Sequence, residues 1–272
     1  MRTERNMRLW GLVVAHADGR SLAVEHVDAV VMSAAGVDAA AVAVVLSASP
    51  PETVYASDRV ASEVEELTLT LGEGPGVDAL ASGPALMADL TASDCQVRWP
   101  IFAPAATRAG VRAVFALPLR IGAIRLGVLD LYRAEPGGLD REQLADALMQ
   151  ADTMGALLLE EAGRDRLRSD VPWREHAGAQ HPSVHQATGM IIVQLGATAA
   201  VALMRLRAYA YAHDRRLGDV AAVVVARRTA IRPRPRGRRG PGVDVERWRC
   251  PAGRSGPIWR TGSVRPPPAR PL

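Results

Sequence analysis

Between Val184 and Arg228 the apolar residues recur three and four positions apart in three successive runs, a spacing that only short amphipathic helices satisfy. Val184, Ala187, Ile191 and Leu195 share one face of a first helix. Gly196 ends that helix, because glycine takes the positive φ that a helix exit often needs. Thr198 caps a second helix from about Ala199, with Leu203, Leu206 and Ala210 turned inward. A third starts near Leu217 and turns Leu217, Val220, Ala221 and Val224 inward, with Asp219 suited to the positive charge of its first turn. Ala187 and Gly189 are expected where two helices approach closely. Three helices of this size form a bundle without a cleft, able to bind something on its outside but poorly suited to catalysis.

The whole chain has 272 residues, enough for two domains with real cores. Only 4% of it is aromatic, so those cores must be built from Ala, Val and Leu. All 33 basic residues are arginine, as expected of a GC-rich coding sequence. The formal charge of +4 hides an asymmetry. Residues 227–272 hold thirteen arginines against Asp244 and Glu246, a net +11, while residues 1–226 hold twenty arginines against twenty-seven acids, a net −7. Non-specific attraction to nucleic acid is therefore expected from the C-terminal end. Cys95 and Cys250 form no CxxC or His-linked cluster, which argues against a disulfide scaffold or zinc site and suits a reducing cytoplasm. Arg2, Arg5 and Arg8 before Leu9–Ala15 loosely mimic a signal peptide, but the apolar run is at the short end of what export needs. No run approaches the ~20 apolar residues of a membrane span.

Ahead of the bundle the pattern is mixed. A helical lead-in over 1–34 precedes a buried strand from Ala39 to Leu46, with Thr53–Ala56 as its hairpin partner. A helix carrying Val60, Val64 and Leu67 ends at Gly72-Glu73-Gly74-Pro75, followed by a short helix, a strand at Ala85–Met87 and a loop containing Arg98-Trp99-Pro100. Two strong strands, Arg112–Leu119 and Ile124–Tyr132, are expected at the sheet centre. A long helix over 140–163 follows, with Leu144, Leu148, Met149 and Leu157–Leu159 as its apolar face. The order predicts an α+β fold, an antiparallel sheet with helices against one face.

Two resemblances follow from particular residues. Leu71-Gly72-Glu73-Gly74-Pro75, Ala88-Asp89-Leu90, Arg98-Trp99-Pro100 with Phe102, Gly110–Phe115, Pro118-Leu119 and Leu126–Tyr132 together resemble a GAF domain of the kind found in actinobacterial regulators. In the bundle, Gln186-Ala187-Thr188-Gly189-Met190 with Gln194-Leu195-Gly196, Ala202-Leu203 with Leu206-Arg207-Ala208, and Asp219-Val220-Ala221 with Val224–Arg228 resemble the ANTAR domain. Thr188 stands where many ANTAR members have lysine. The resemblances imply a GAF domain over 35–162, a linker over 163–181, an ANTAR RNA-binding domain over 182–228 and a disordered Arg/Pro/Gly-rich tail over 229–272. They also imply a cytoplasmic regulator of transcription antitermination, not an enzyme, that captures an RNA stem-loop in a nascent transcript, answers a small-molecule or protein signal at the GAF domain, and acts as a homodimer through the long helix.

Within that reading, Arg205, Arg207, Arg215, Arg216, Arg227 and Arg228 are the candidates to meet phosphates and base edges, since a planar guanidinium makes paired hydrogen bonds and stacks on bases. Tyr209, with Tyr211, could stack on unpaired loop bases. No catalytic residue, cofactor or metal site is expected. Pro75 and the misplaced third glycine argue against a nucleotide-binding loop at Gly72–Gly76, which is expected instead to be a turn. Trp99 and Phe102 are expected as core anchors. His181 and His185 are four apart, yet Pro182 puts the helix start between them and no third ligand is visible. Two alternatives stay open, a thiol-dependent reductase using Cys95 and a DNA-binding regulator. The tail, with Arg232–Gly240 and Pro266-Pro267-Pro268, cannot bury enough apolar surface to fold. It reads either as a frameshifted end or as a basic arm.

Overall fold

The computed structural model describes residues 2–45, 51–167 and 181–226. In chain order the elements are α1 (Arg2–Ala17), α2 (Val24–Ala35), β1 (Ala39–Val44), β2 (Glu52–Ala56), α3 (Arg59–Leu71), α4 (Pro75–Ser82), β3 (Ala85–Met87), α5 (Ser93–Arg98), α6 (Phe102–Arg108), β4 (Ala113–Ile121), β5 (Ile124–Arg133) and α7 (Arg141–Leu167). Three helices close the described chain: α8 (Pro182–Leu195), α9 (Ala199–Ala212) and α10 (Leu217–Val225). The tail and most of the expected linker lie outside the described residues.

The strands form one antiparallel sheet in the order β2-β1-β5-β4-β3, so the two strongest strands do lie at and beside its centre. Alternation along each strand divides the side chains between two cores. Ala40, Val42, Phe115, Leu117, Leu129 and Leu131 point toward α1, α2 and α7, whereas Ala39, Ala41, Val114 and Tyr132 point toward α3, α5 and α6. Helices therefore cover both faces, not one as the sequence suggested. The second layer was hidden because α5 and α6 have six and seven residues, too short for helical periodicity, and Pro100 separates them.

One further correction concerns which residues face inward. The buried stripe of α7 is Ala147, Ala151, Met154 and Leu157, while Leu148 and Leu159 are exposed. Small residues at 147 and 151 let α7 lie close to α2 and β4, which hydrophobicity alone did not reveal. The lead-in belongs to the same core: Leu9 and Val13 of α1 are buried there, and Arg5 and Arg8 pair with Asp146 on α7 at 2.8 and 2.5 Å. The segment that mimics a signal peptide is thus packed as structure. Among the described residues, no single helix is long and apolar enough to cross a membrane.

The C-terminal helices build their own core. Val184, Ala187 and Ile191 of α8, Ala202, Leu206 and Ala210 of α9, and Leu217, Val220, Ala221 and Val224 of α10 are all buried together, with Leu195 and Leu203 partly so. Gly196 takes φ +57° to end α8, and the chain turns through 109° into α9, which Thr198 caps through the Val201 amide. Gly189 is exposed with open space where a side chain would be, so the close approach falls at Ala187 alone. Ala187→Leu should overpack this core and cost roughly 1–3 kcal/mol. A melting temperature of the full chain equal to wild type would show that the helices part freely at that position.

Candidate nucleic-acid interface

The α/β domain and the bundle meet along the second half of α3. Leu69 is buried within the bundle's own apolar core. Arg207 donates from Nε to the Leu69 carbonyl at 2.9 Å, and its guanidinium lies over Gly72, which caps α3 at φ +69°. Any side chain at Gly72 would strike that guanidinium. The Leu217 amide at the start of α10 donates to the Thr70 hydroxyl at 3.2 Å. His181 Nε2 stands 3.6 Å from a Glu66 carboxylate oxygen, and His185 pairs with Glu52. Burial pushes Glu66 up to about 7, against the pull of Arg216 and of the nearby Gly218 amide. Desolvation lowers His181 from its ordinary value, and His185 lowers it further.

The candidate RNA-contacting residues divide accordingly. Arg205 and Arg216 are exposed, and Arg215 is half-buried. Arg207 is turned toward the α/β domain, and desolvation there draws its guanidinium down from its ordinary value. Tyr209 is half-buried with one ring face covered by His213, the two centroids 3.9 Å apart and the planes 20° from parallel. Tyr211 is exposed. Arg227 and Arg228 lie outside the described residues. Over 181–226 the bundle carries four arginines against Asp214 and Asp219, so its own charge is mildly positive.

The motif residues of the α/β domain serve structure first. Gly72 and Gly74, the latter at φ +135°, turn the chain from α3 into α4. Between them, Glu73 accepts from the Ile101 and Phe102 amides at 3.0 and 2.7 Å and so caps α6. Asp89 takes a forked pair of hydrogen bonds from Arg112, which holds its carboxyl down at about 2. Trp99 and Phe102 are buried, and the Trp99 indole donates to Asp78 at 3.2 Å. Cys95 is buried with its sulfur 3.7 Å from that of Met87, and burial raises its thiol, which disfavours the thiolate. Among the described residues, no group of three or more His, Cys, Asp and Glu side chains could hold a metal ion.

A buried acidic cluster on the α3 side of the sheet was not foreseen. Glu65 accepts from the Tyr132 hydroxyl at 2.6 Å and from Thr53 at 3.0 Å. Asp130 sits two residues from Tyr132 on the same face of β5, with Oδ1 lacking a hydrogen-bond partner among the described residues. Burial lifts Asp130 well above the usual carboxylate range, and the Glu65 charge adds to that. Gly76 makes room for it, since a Cβ there would lie 2.7 Å from Asp130 Oδ2. An acid inside the apolar run Leu126–Tyr132 was the visible signal.

No family model matches the chain, and no curated protein matches it. Solved structures do resemble it in outline. The GAF domain of a phosphoenolpyruvate-protein phosphotransferase from Coxiella burnetii aligns over 59% of this chain and 96% of its own, at 13% identity and a TM-score of 0.46. A GAF3 domain from Synechocystis sp. aligns over 59% of this chain and 99% of its own, at 14% identity and a TM-score of 0.41. The chromophore-binding domain of a Stigmatella aurantiaca bacteriophytochrome aligns over 58% and 60%, at 12% identity and a TM-score of 0.42.

Proposed function

We propose that this chain is a cytoplasmic, non-catalytic regulator in which a GAF-type sensor domain governs an ANTAR-type bundle that captures RNA stem-loops and so promotes transcription antitermination. The observation that carries this reading is the bundle itself: three helices with their own core, mildly basic, with Arg205 and Arg216 exposed. Three residues of the resemblance support it: Ala187 is buried in the bundle core, Gly196 ends α8 and Asp219 lies in the first turn of α10. The rival reductase has less support, because Cys95 is buried and its thiol is raised. A homodimer is part of the proposal, with the exposed Leu148 and Leu159 of α7 as the natural contact.

Arg205→Ala combined with Arg216→Ala should weaken binding of RNA stem-loops. It should also flatten the salt dependence, by about one unit of slope for each phosphate that is no longer neutralised. Titrations at several salt concentrations, with duplex DNA as competitor, measure this. Unchanged affinity and slope in a folded double variant would place recognition elsewhere, and equal competition by duplex DNA would favour a DNA-binding regulator.

A further inference from the structure

The contact between the two domains is electrically matched at both of its ends. The α3 helix ends at Leu71, and its last carbonyls carry the negative end of the helix dipole. Arg207 places its guanidinium there, on the Leu69 carbonyl and over Gly72. The α10 helix begins at Leu217, and its N-cap residue Arg216 offers no side-chain acceptor to the first amides. The other domain supplies what is missing: the Thr70 hydroxyl accepts from the Leu217 amide, and the Glu66 carboxyl lies beside the start of the helix, close to Gly218 and Arg216. A guanidinium and the open amides of a helix start are the groups that take hold of a phosphate. In this structure the Leu69 carbonyl and the Thr70 hydroxyl occupy them.

Resting on the RNA-binding reading above, we propose that the C-terminal half of α3 stands in for nucleic-acid phosphate on the bundle, so that docking on the sensor domain and capture of an RNA stem-loop exclude one another. Arg207 is the shared residue. It cannot reach a phosphate while it bonds Leu69, and the start of α10 cannot open while Glu66 and Thr70 cover it. Leu69 holds the two surfaces in register by entering the bundle core, with the His181–Glu66 and His185–Glu52 pairs at the edge. The same helix carries Glu65, whose partner Tyr132 lies on the central strand, so a signal that shifts the interior of the sensor domain has a direct mechanical route to the clasp.

The test uses the full chain and leaves every candidate RNA-contacting residue intact. Leu69→Ala removes the wedge, and Glu66→Ala is a separate second variant; both keep the Thr70 acceptor of the Leu217 amide. Hydrogen exchange at the Leu217 amide reports undocking, and titration with a pool of short RNA stem-loops with randomised loops reports capture. Both variants should speed exchange and raise stem-loop affinity about tenfold, as for a binding-competent state that is one-tenth populated in the parent chain. The salt dependence should steepen as Arg207 becomes available. Faster exchange with unchanged affinity would overturn the competition while leaving the RNA reading in place. Exchange that stays slow in both variants would show that α3 does not clasp the bundle and would equally overturn the inference. If neither the parent chain nor the undocked variants retain any stem-loop, the RNA reading falls and the inference with it.

Discussion

Gly127→Ala should be among the most damaging single substitutions in the chain. Gly127 lies on the central strand β5, opposite Val44 of β1 and Leu119 of β4. A Cβ there would run into the carbonyl oxygen of Ala43 and lie 3.0 Å from the Val44 Cα. Both obstacles are backbone, so relief requires β1 to move relative to β5, and β2 hangs on β1. Overpacking against a backbone that cannot yield is expected to cost roughly 3 kcal/mol or more, a large part of the 5–15 kcal/mol typical of a folded domain. The urea midpoint should fall by about 1 M or more. Gly138→Ala is the matched control, since its Cβ would meet nothing within 4 Å. Equal midpoints for the two variants would show that β1 leaves the sheet easily at this end.

The contrast between Gly127 and Leu69 shows what could be read from the residues and what could not. β4 and β5 were legible because their apolar runs are long and bounded by turn residues, and α8–α10 because three- and four-residue spacing repeats in each. Short-range chemistry was legible as well, as at Gly196 and Thr198. Contacts between distant segments were not. Leu69 lies off the Val60, Val64 and Leu67 face of α3, and nothing near it in the sequence says that it packs into a bundle whose first helix begins more than a hundred positions later. Arg207 reads as one basic residue among several, and only its bond to the Leu69 carbonyl and its place over Gly72 show that its guanidinium is turned inward. Nothing in the local sequence separates the acids Glu52, Glu65 and Glu66 from solvated charges, because it does not say which surface a distant segment will cover.

Asp28 should make the stability of this protein fall with rising pH, against the trend usual for a carboxylate. It lies in α2 with no exposed surface, and neither carboxylate oxygen has a hydrogen-bond partner in good geometry among the described residues. Burial pushes its carboxyl up from 3.8 to about 7, and the nearby Tyr55 hydroxyl offsets this only in part. The folded state therefore holds the proton more tightly than the unfolded chain does. Its contribution is complete below about pH 4, shrinks as pH rises through 7, and is lost above that. At 1.36 kcal/mol per pH unit, the span amounts to on the order of 4 kcal/mol as an upper figure. Asp28→Asn removes this titration while leaving the other buried acids, Glu65 and Asp130, in place. Subtracting the unfolding free energies of wild type and variant across pH 4–8 isolates Asp28, because the remaining carboxyls cancel. The difference should move steadily in favour of the asparagine variant as pH rises and level off above 7. A difference that stays flat would mean that Asp28 is ionised in the fold, with solvent or another group reaching its carboxylate.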